Sequence, residues 1–198
     1  MPLKLNIIIG STRPGRVGPV IARWLEEFAT SHGAFDVELV DLADFSLPLL
    51  DEAAHPLQQE YEHAHTRRWA KSVASADAFV FVTPEYDSFP PASLVNAVQA
   101  LVLEWSYKPA GILSYGGVSG GLRSAQELRQ LLGNVNVHAL PQVVPVPFFP
   151  QFIGDEGGFH PNEQMLDGAR GMLDELYKWA TALTTIRQDG ESEREEAA

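Results

Sequence analysis

Ala78-Phe79-Val80-Phe81-Val82 is an apolar run without a polar interruption, bounded by Asp77 and Thr83. A strand with one face in water alternates apolar and polar residues, whereas a strand covered on both faces does not. The run is far too short to span a membrane. It therefore predicts a central strand with helices packed above and below. The chain on either side has the matching rhythm. A first strand is predicted over 3–9 and a helix over 19–31, stopped at Gly33, a residue suited to the left-handed turn after a helix. Residues 35–40 alternate apolar and polar, as an edge strand does. A loop follows, then a polar helix over 57–75 with Tyr61, Ala64, Trp69 and Val73 on its buried side. Further on come a helix over 92–101, an apolar strand over 110–115, a helix over 122–132 ended by Gly133, and a last strand within 135–146. A closing helix over 162–186 has Met165, Ala169, Met172, Leu173, Leu176 and Trp179 spaced for one face. Strands alternating with helices imply an α/β domain built on a parallel sheet covered on both sides.

In such sheets ligands bind beyond the carboxyl ends of the strands. Three loops leave that edge: 10–18, 84–91 and 114–121, all rich in glycine, proline or small polar residues. The first, Gly10-Ser11-Thr12-Arg13-Pro14-Gly15-Arg16-Val17-Gly18, joins a strand to a helix and contains two arginines and no acid. A helix N-terminus presents backbone N–H groups without partners and a partial positive charge, so this turn suits a phosphate. It is neither a P-loop, since no Gly-Lys-Ser/Thr follows, nor the dinucleotide fingerprint, whose glycine spacing differs.

The formal net charge of −12 argues against nucleic acid and anionic membrane as partners. Part of that acidity lies in 189–196, and residues 187–198 are expected to be an acidic, disordered tail behind a domain over 1–186. The chain has no cysteine, which excludes disulfides, thiol nucleophiles and thiolate metal sites, so redox chemistry would need a bound organic cofactor. No secretory leader or membrane span is visible, which makes a cytoplasmic protein the default expectation. His63 and His65 are two apart and would diverge on a helix, so the histidines read as solvated surface and no metal site is expected. Trp24, Trp69, Trp105 and Trp179 read as core or interface residues. Pro147-Phe148-Phe149-Pro150-Gln151-Phe152-Ile153 is costly to expose: it reads as a loop tucked over its own core or, the favoured reading, as a subunit contact.

Gly10-Ser11-Thr12-Arg13, Thr83-Pro84-Glu85-Tyr86, Asn96-Ala97 and the run from Ser114-Tyr115-Gly116-Gly117 to Gly121 together resemble the NADPH-dependent FMN reductase family of flavodoxin-like proteins, which includes quinone, azo-dye and chromate reductases. The resemblance covers nearly the whole chain up to the last helix. It implies a flavodoxin-like three-layer α/β sandwich with a five-stranded parallel sheet in the order 2-1-3-4-5. It also implies a noncovalent FMN with NADPH or NADH as co-substrate, and a homodimer or homotetramer. Ser11, Arg13, Arg16, Val17 and Gly18 would hold the phosphate; Pro84, Glu85, Tyr86 and Asp87 would line the ring; Ser114, Tyr115, Gly116 and Gly117 would close the other side. Relatives often have Ser at the place of Arg16 and Asn at that of Asp87; the Asp87 carboxylate is expected to turn outward. Glu85 has no partner nearby in sequence, and Tyr86 and Tyr115 are expected to form walls of the flavin site. The implied activity is electron transfer from NAD(P)H to a quinone, azo compound, free flavin or metal anion. A flavodoxin-type electron carrier and a redox-sensing interaction protein are the alternatives.

Overall fold

The computed structural model describes residues 2–196, with side chains through residue 187. The apolar run becomes β3 (Ala78–Pro84), buried at every position. It lies at the centre of a five-stranded, all-parallel sheet with β1 (Leu3–Ile9), β2 (Phe35–Asp41), β4 (Lys108–Tyr115) and β5 (Val137–Val146) in the order β2-β1-β3-β4-β5. Like β3, β4 is buried throughout. The edge strand β2 alternates in burial as its sequence does.

Because side chains on a strand point alternately up and down, the sheet feeds two cores. On one face Ile7, Ile9, Val80, Val82 and Leu113 pack beneath α1 (Gly18–His32) and α6 (Glu163–Glu196), which contribute Ile21, Leu25, Met172, Leu173 and Leu176. On the other face Ile8, Phe79, Phe81 and Ile112 meet α3 (Ala64–Ala74), α4 (Ala92–Gln99) and α5 (Leu122–Gly133) through Trp69, Leu94 and Leu128. A short helix, α2 (Leu42–Phe45), follows β2. The second core is aromatic: Trp105 lies edge-on to Phe79 and Trp69 with centroids at 4.9 and 5.7 Å. Each such pair adds about 1 kcal/mol beyond burial. Both indole N–H groups are satisfied, Trp69 by the Ala97 carbonyl and Trp105 by that of Val98. No helix among the described residues is long and apolar enough to cross a membrane.

One predicted helix is shorter than its sequence suggests. Over 57–75 the chain forms a 3-10 turn at Pro56–Gln58, leaves helical geometry at Gln59 (φ 55°), and starts α3 only at Ala64. Tertiary contacts win over propensity. The Tyr61 hydroxyl donates to the Glu104 carboxylate at 2.9 Å, and the Glu52 carboxylate accepts the Glu62 and His63 amides at 2.8 and 3.1 Å. His63 therefore precedes the helix with extended backbone, and its ring stacks on that of His65 at 5.2 Å instead of diverging. Both face Asp51.

The outer strand β5 is irregular. Its pairing with β4 jumps from Ala110–Ala139 to Ile112–Val143, and the carbonyls of Leu140 and Pro141 in the bulge accept from Arg129 Nη2 at 3.1 and 3.0 Å. A surface arginine of α5 thus supplies the donors that the interrupted ladder lacks.

Candidate active site

The carboxyl ends of β1, β3 and β4 are level, with Ile9 beside Val82 and Pro84 beside Tyr115, so the loops at 10–18, 84–91 and 114–121 open on one rim. The first loop is anchored behind: the Gly10 amide donates to the Val82 carbonyl at 3.0 Å, and Ser93 Oγ donates to the Gly10 carbonyl at 2.7 Å. Gly10 must be small, because a Cβ there would lie 2.8 Å from Leu94 Cδ2. Helix α1 starts at Gly18 with no side-chain cap and no acid in its first turn. Among the described residues the amides of Ser11, Thr12, Gly15 and Val17 donate to no backbone acceptor. Such a set of free donors at a helix N-terminus is an anion cradle.

The two arginines of this turn behave differently. Arg13 is exposed and its guanidinium makes no ion pair among the described residues. Arg16 is turned to the end of β2, where Nη2 meets Asp41 Oδ2 at 2.5 Å, both side chains being about one-fifth exposed (21% and 20%). Asp41 also accepts the Ala43 amide as N-cap of α2. Arg13 offers its whole guanidinium to an incoming anion, while Arg16 keeps a buried Nε without a partner among the described residues. Val17 forms the N-cap residue, and Gly18 packs against Ile9 and the Tyr115 hydroxyl, with room for no Cβ beyond a tight 3.1 Å.

Strand β3 ends at Pro84, buried, and the loop after it carries Glu85 and Tyr86, partly buried, and Asp87, exposed. Tyr86 and Phe89 exchange backbone hydrogen bonds of 2.9 Å in both directions across Asp87 (φ 50°) and Ser88 (φ 73°). Positive φ at both central residues is the tight hairpin geometry that Asp tolerates. The Tyr86 hydroxyl lies 2.8 Å from Ser11 Oγ, which joins this loop to the phosphate-type turn. Glu85 finds partners far away in sequence: Ser119 and Arg123.

In the third loop Ser114 is buried and its Oγ donates to the Gly120 carbonyl at 2.8 Å. The Gly116 and Gly117 carbonyls accept the amides of Phe149 and Phe148. That leaves the amides of Gly117, Val118 and Ser119 without backbone acceptors among the described residues. The Tyr115 ring is buried behind the rim and meets Phe149 edge-on at 5.5 Å. Burial, with Tyr86 beside it, pushes its hydroxyl far above the ordinary value, so it stays protonated. Tyr86 lines the rim and Tyr115 backs it. The apolar stretch after β5 divides likewise: Phe149, Phe152 and Ile153 pack on the core, while Phe148 is 49% exposed. Beside the turn a cleft of 230 Å³ is lined by Thr12, Leu42, Ala43, Ser46, Leu47 and Ser93. Its lining includes no residue of the other two loops.

Sequence reasoning missed Ser93, Asp41, Ser119 and Arg123. Asn96, part of the resemblance, acts at a distance from the rim: its side chain bonds the Pro48 carbonyl and the Leu50 amide and fixes the loop before α3. The donor set fits a phosphate at the first loop. The free amides and glycine-lined backbone of the third loop fit the polar edge of a flat heterocycle.

The chain matches the family described as NADPH-dependent FMN reductase over residues 3–151. It is 41% identical over 140 residues to an NAD(P)H-dependent FMN reductase of Schizosaccharomyces pombe, covering 70% of each chain. A quinone reductase of Escherichia coli is 34% identical over 135 residues, covering 66% of this chain and 69% of its own. Among solved structures, a flavoenzyme NAD(P)H:(acceptor) oxidoreductase from Paracoccus denitrificans superposes with a TM-score of 0.68 at 19% identity, covering 91% of this chain and 98% of its own.

Proposed function

The chain belongs to the NADPH-dependent FMN reductase family, and on that premise we propose that it binds FMN on the rim above β1, β3 and β4 and transfers electrons from NADPH or NADH to a small-molecule acceptor. The acceptor class is a quinone, an azo compound, free flavin or an oxidised metal anion; a relative named quinone reductase supports the first. The observation that carries the reading is the first loop: an uncapped helix start and, among the described residues, four free amides and an arginine without an ion pair in one turn.

FMN, when bound, supplies the hydride-accepting and electron-donating chemistry. The chain supplies binding and orientation. Ser11 Oγ, Arg13 and the amides of the turn, Val17 and Gly18 included, hold the phosphate. Arg16 acts through Asp41, fixing the turn to β2. The amides of Asp87 and Gly117, which have no acceptor among the described residues, would meet the ring edge, while Pro84, Glu85, Tyr86 and Gly116, whose backbone groups are largely engaged within the protein, shape the walls around it. Ser114 and Tyr115 support the glycine loop from below. The exposed Phe148 adjoins this rim through Gly117 and offers an apolar contact for a second subunit, in a homodimer or homotetramer.

The test is direct. Purified protein saturated with FMN should retain the yellow cofactor through desalting, and NADPH or NADH under anaerobic conditions should bleach its visible band. Protein that stays colourless in excess FMN sinks the proposal.

A further inference from the structure

Glu85 follows β3 on the rim, where a carboxylate could be taken for a proton donor or acceptor. Its side chain is only 10% exposed. Oε2 accepts from Ser119 Oγ at 2.8 Å and from the Arg123 backbone amide at 3.2 Å, and Oε1 accepts from Arg123 Nη1 at 3.0 Å. Burial alone would raise its pKa, but the donors from Ser119 and Arg123 outweigh it and hold the carboxyl below its ordinary value. A group that shuttles protons works best with a pKa near the working pH; Glu85 is displaced in the opposite direction and its oxygens are already engaged.

The identity of those donors is informative. Helix α5 begins after Gly121, which has a left-handed backbone (φ 82°) and no side chain with which to cap. The Arg123 amide belongs to the first turn and lacks an intrahelical acceptor. Glu85 accepts it from 38 residues away and places a negative charge at the positive end of the helix. Ser119, which donates to the same carboxylate, also accepts the Gly121 amide at 3.3 Å. The body of α5 has its own tie to β3, from Ser124 Oγ to the Pro84 carbonyl at 2.9 Å. On its far side the glycine loop is held by the Phe148 and Phe149 amides. On its near side Ser114 Oγ holds the Gly120 carbonyl and the Glu85 amide meets the Tyr115 carbonyl at 3.1 Å; the Glu85 carboxylate is the side-chain tie from the 84–89 loop to Ser119 and Arg123.

We propose that Glu85 is a positioning residue: as an N-cap for α5 donated by the facing loop, it fixes the separation between the 84–89 and 116–121 loops and so sets the slot for the flavin ring. The slot rests on the FMN reading above; the cap does not.

Two measurements on the full-length protein separate these parts: amide hydrogen exchange at 121–124 without flavin, and the FMN dissociation constant by fluorescence quenching. Glu85→Ala should speed exchange of the Arg123 amide and raise the FMN dissociation constant, each by about tenfold to a hundredfold, the value of hydrogen bonds to a charged group. Glu85→Gln keeps an acceptor oxygen and should recover most of both, with the shape of the pH profile of kcat/KM retained. If Glu85→Ala does not fold, Ser119→Ala removes one of the donors and should move both readouts in the same direction, by less. Unchanged exchange overturns the cap. Faster exchange with unchanged FMN affinity overturns the slot. A Gln variant that binds FMN normally yet loses turnover as fully as the Ala variant overturns positioning in favour of proton transfer. Wild-type protein that takes up no FMN overturns the functional reading and the slot together, while the exchange result still decides the cap.

Discussion

Gly121→Ala is the sharpest single test of how the glycine loop is built. Gly121 has φ 82°, and a Cβ added there would lie 2.7 Å from the Tyr115 amide nitrogen, 2.8 Å from Ser114 Cβ and 2.9 Å from the Tyr115 carbonyl oxygen. Placing an L-residue in left-handed geometry costs about 1–2 kcal/mol. The two backbone atoms belong to a buried strand and cannot step aside as a flexible side chain would, and forcing extra volume into a packed site costs about 1–3 kcal/mol. The sum is about 2–5 kcal/mol, which for a domain of this size lowers Tm by roughly 4–20 °C. Gly117 in the same loop is the control. Nothing lies within 4 Å of its hypothetical Cβ and its φ is not left-handed, so Gly117→Ala should shift stability by no more than about 0.5 kcal/mol. Calorimetry or urea unfolding of the flavin-free protein gives both values without reference to cofactor binding. If Gly121→Ala melts within about 2 °C of Gly117→Ala, too little for the smallest cost above, the backbone clash is not what constrains this position.

The two arginines of the first loop should separate affinity from stability. Arg13→Ala should weaken FMN binding by about tenfold or more while leaving Tm unchanged, because the guanidinium has no ion-pair partner among the described residues to lose. Arg16→Ala strips Asp41 of its ion pair and should lower unfolding free energy by about 1 kcal/mol, read by urea titration. His138, packed on Trp179, has its pKa lowered from 6.5 by burial. The unfolded chain then binds the proton more tightly than the folded one, so stability is unaffected well above pH 6.5 and falls as pH drops below it. His138→Phe should flatten that decline when urea midpoints are compared at about pH 7.5 and about pH 5.5.

The layers of the fold were legible because each depends on local pattern: the unbroken apolar run over 78–82 demanded a doubly covered strand, and alternation over 35–40 marked the edge. The first loop was legible for the same reason, since all its donors come from one short stretch. What could not be read depends on pairs distant in sequence. Glu85 had no visible partner because Ser119 and Arg123 lie 34 and 38 residues on. The span 59–62 has helix-forming residues, but Tyr61 is drawn to Glu104 and the start of α3 is set by Glu52. The tie of Arg16 to Asp41, 25 residues on, could not be read either. Tyr115 carried no sign of whether it faced the rim or the core; only the packing of Gly18 and Phe149 against it shows that it faces inward.

The kinked outer strand has a bearing on behaviour at high concentration. An exposed strand with a continuous row of peptide groups invites the same strand of another molecule to zip onto it. Pro141 and Pro145 lack amide hydrogens, and the bulge over 140–142, held by Arg129, breaks the row at the first of them. The opposite border presents Asp36 and Glu38. Both borders of the sheet are blunted as templates for fibrillar growth, so a stock of this protein should fail, when it fails, by amorphous precipitation rather than by cross-β assembly.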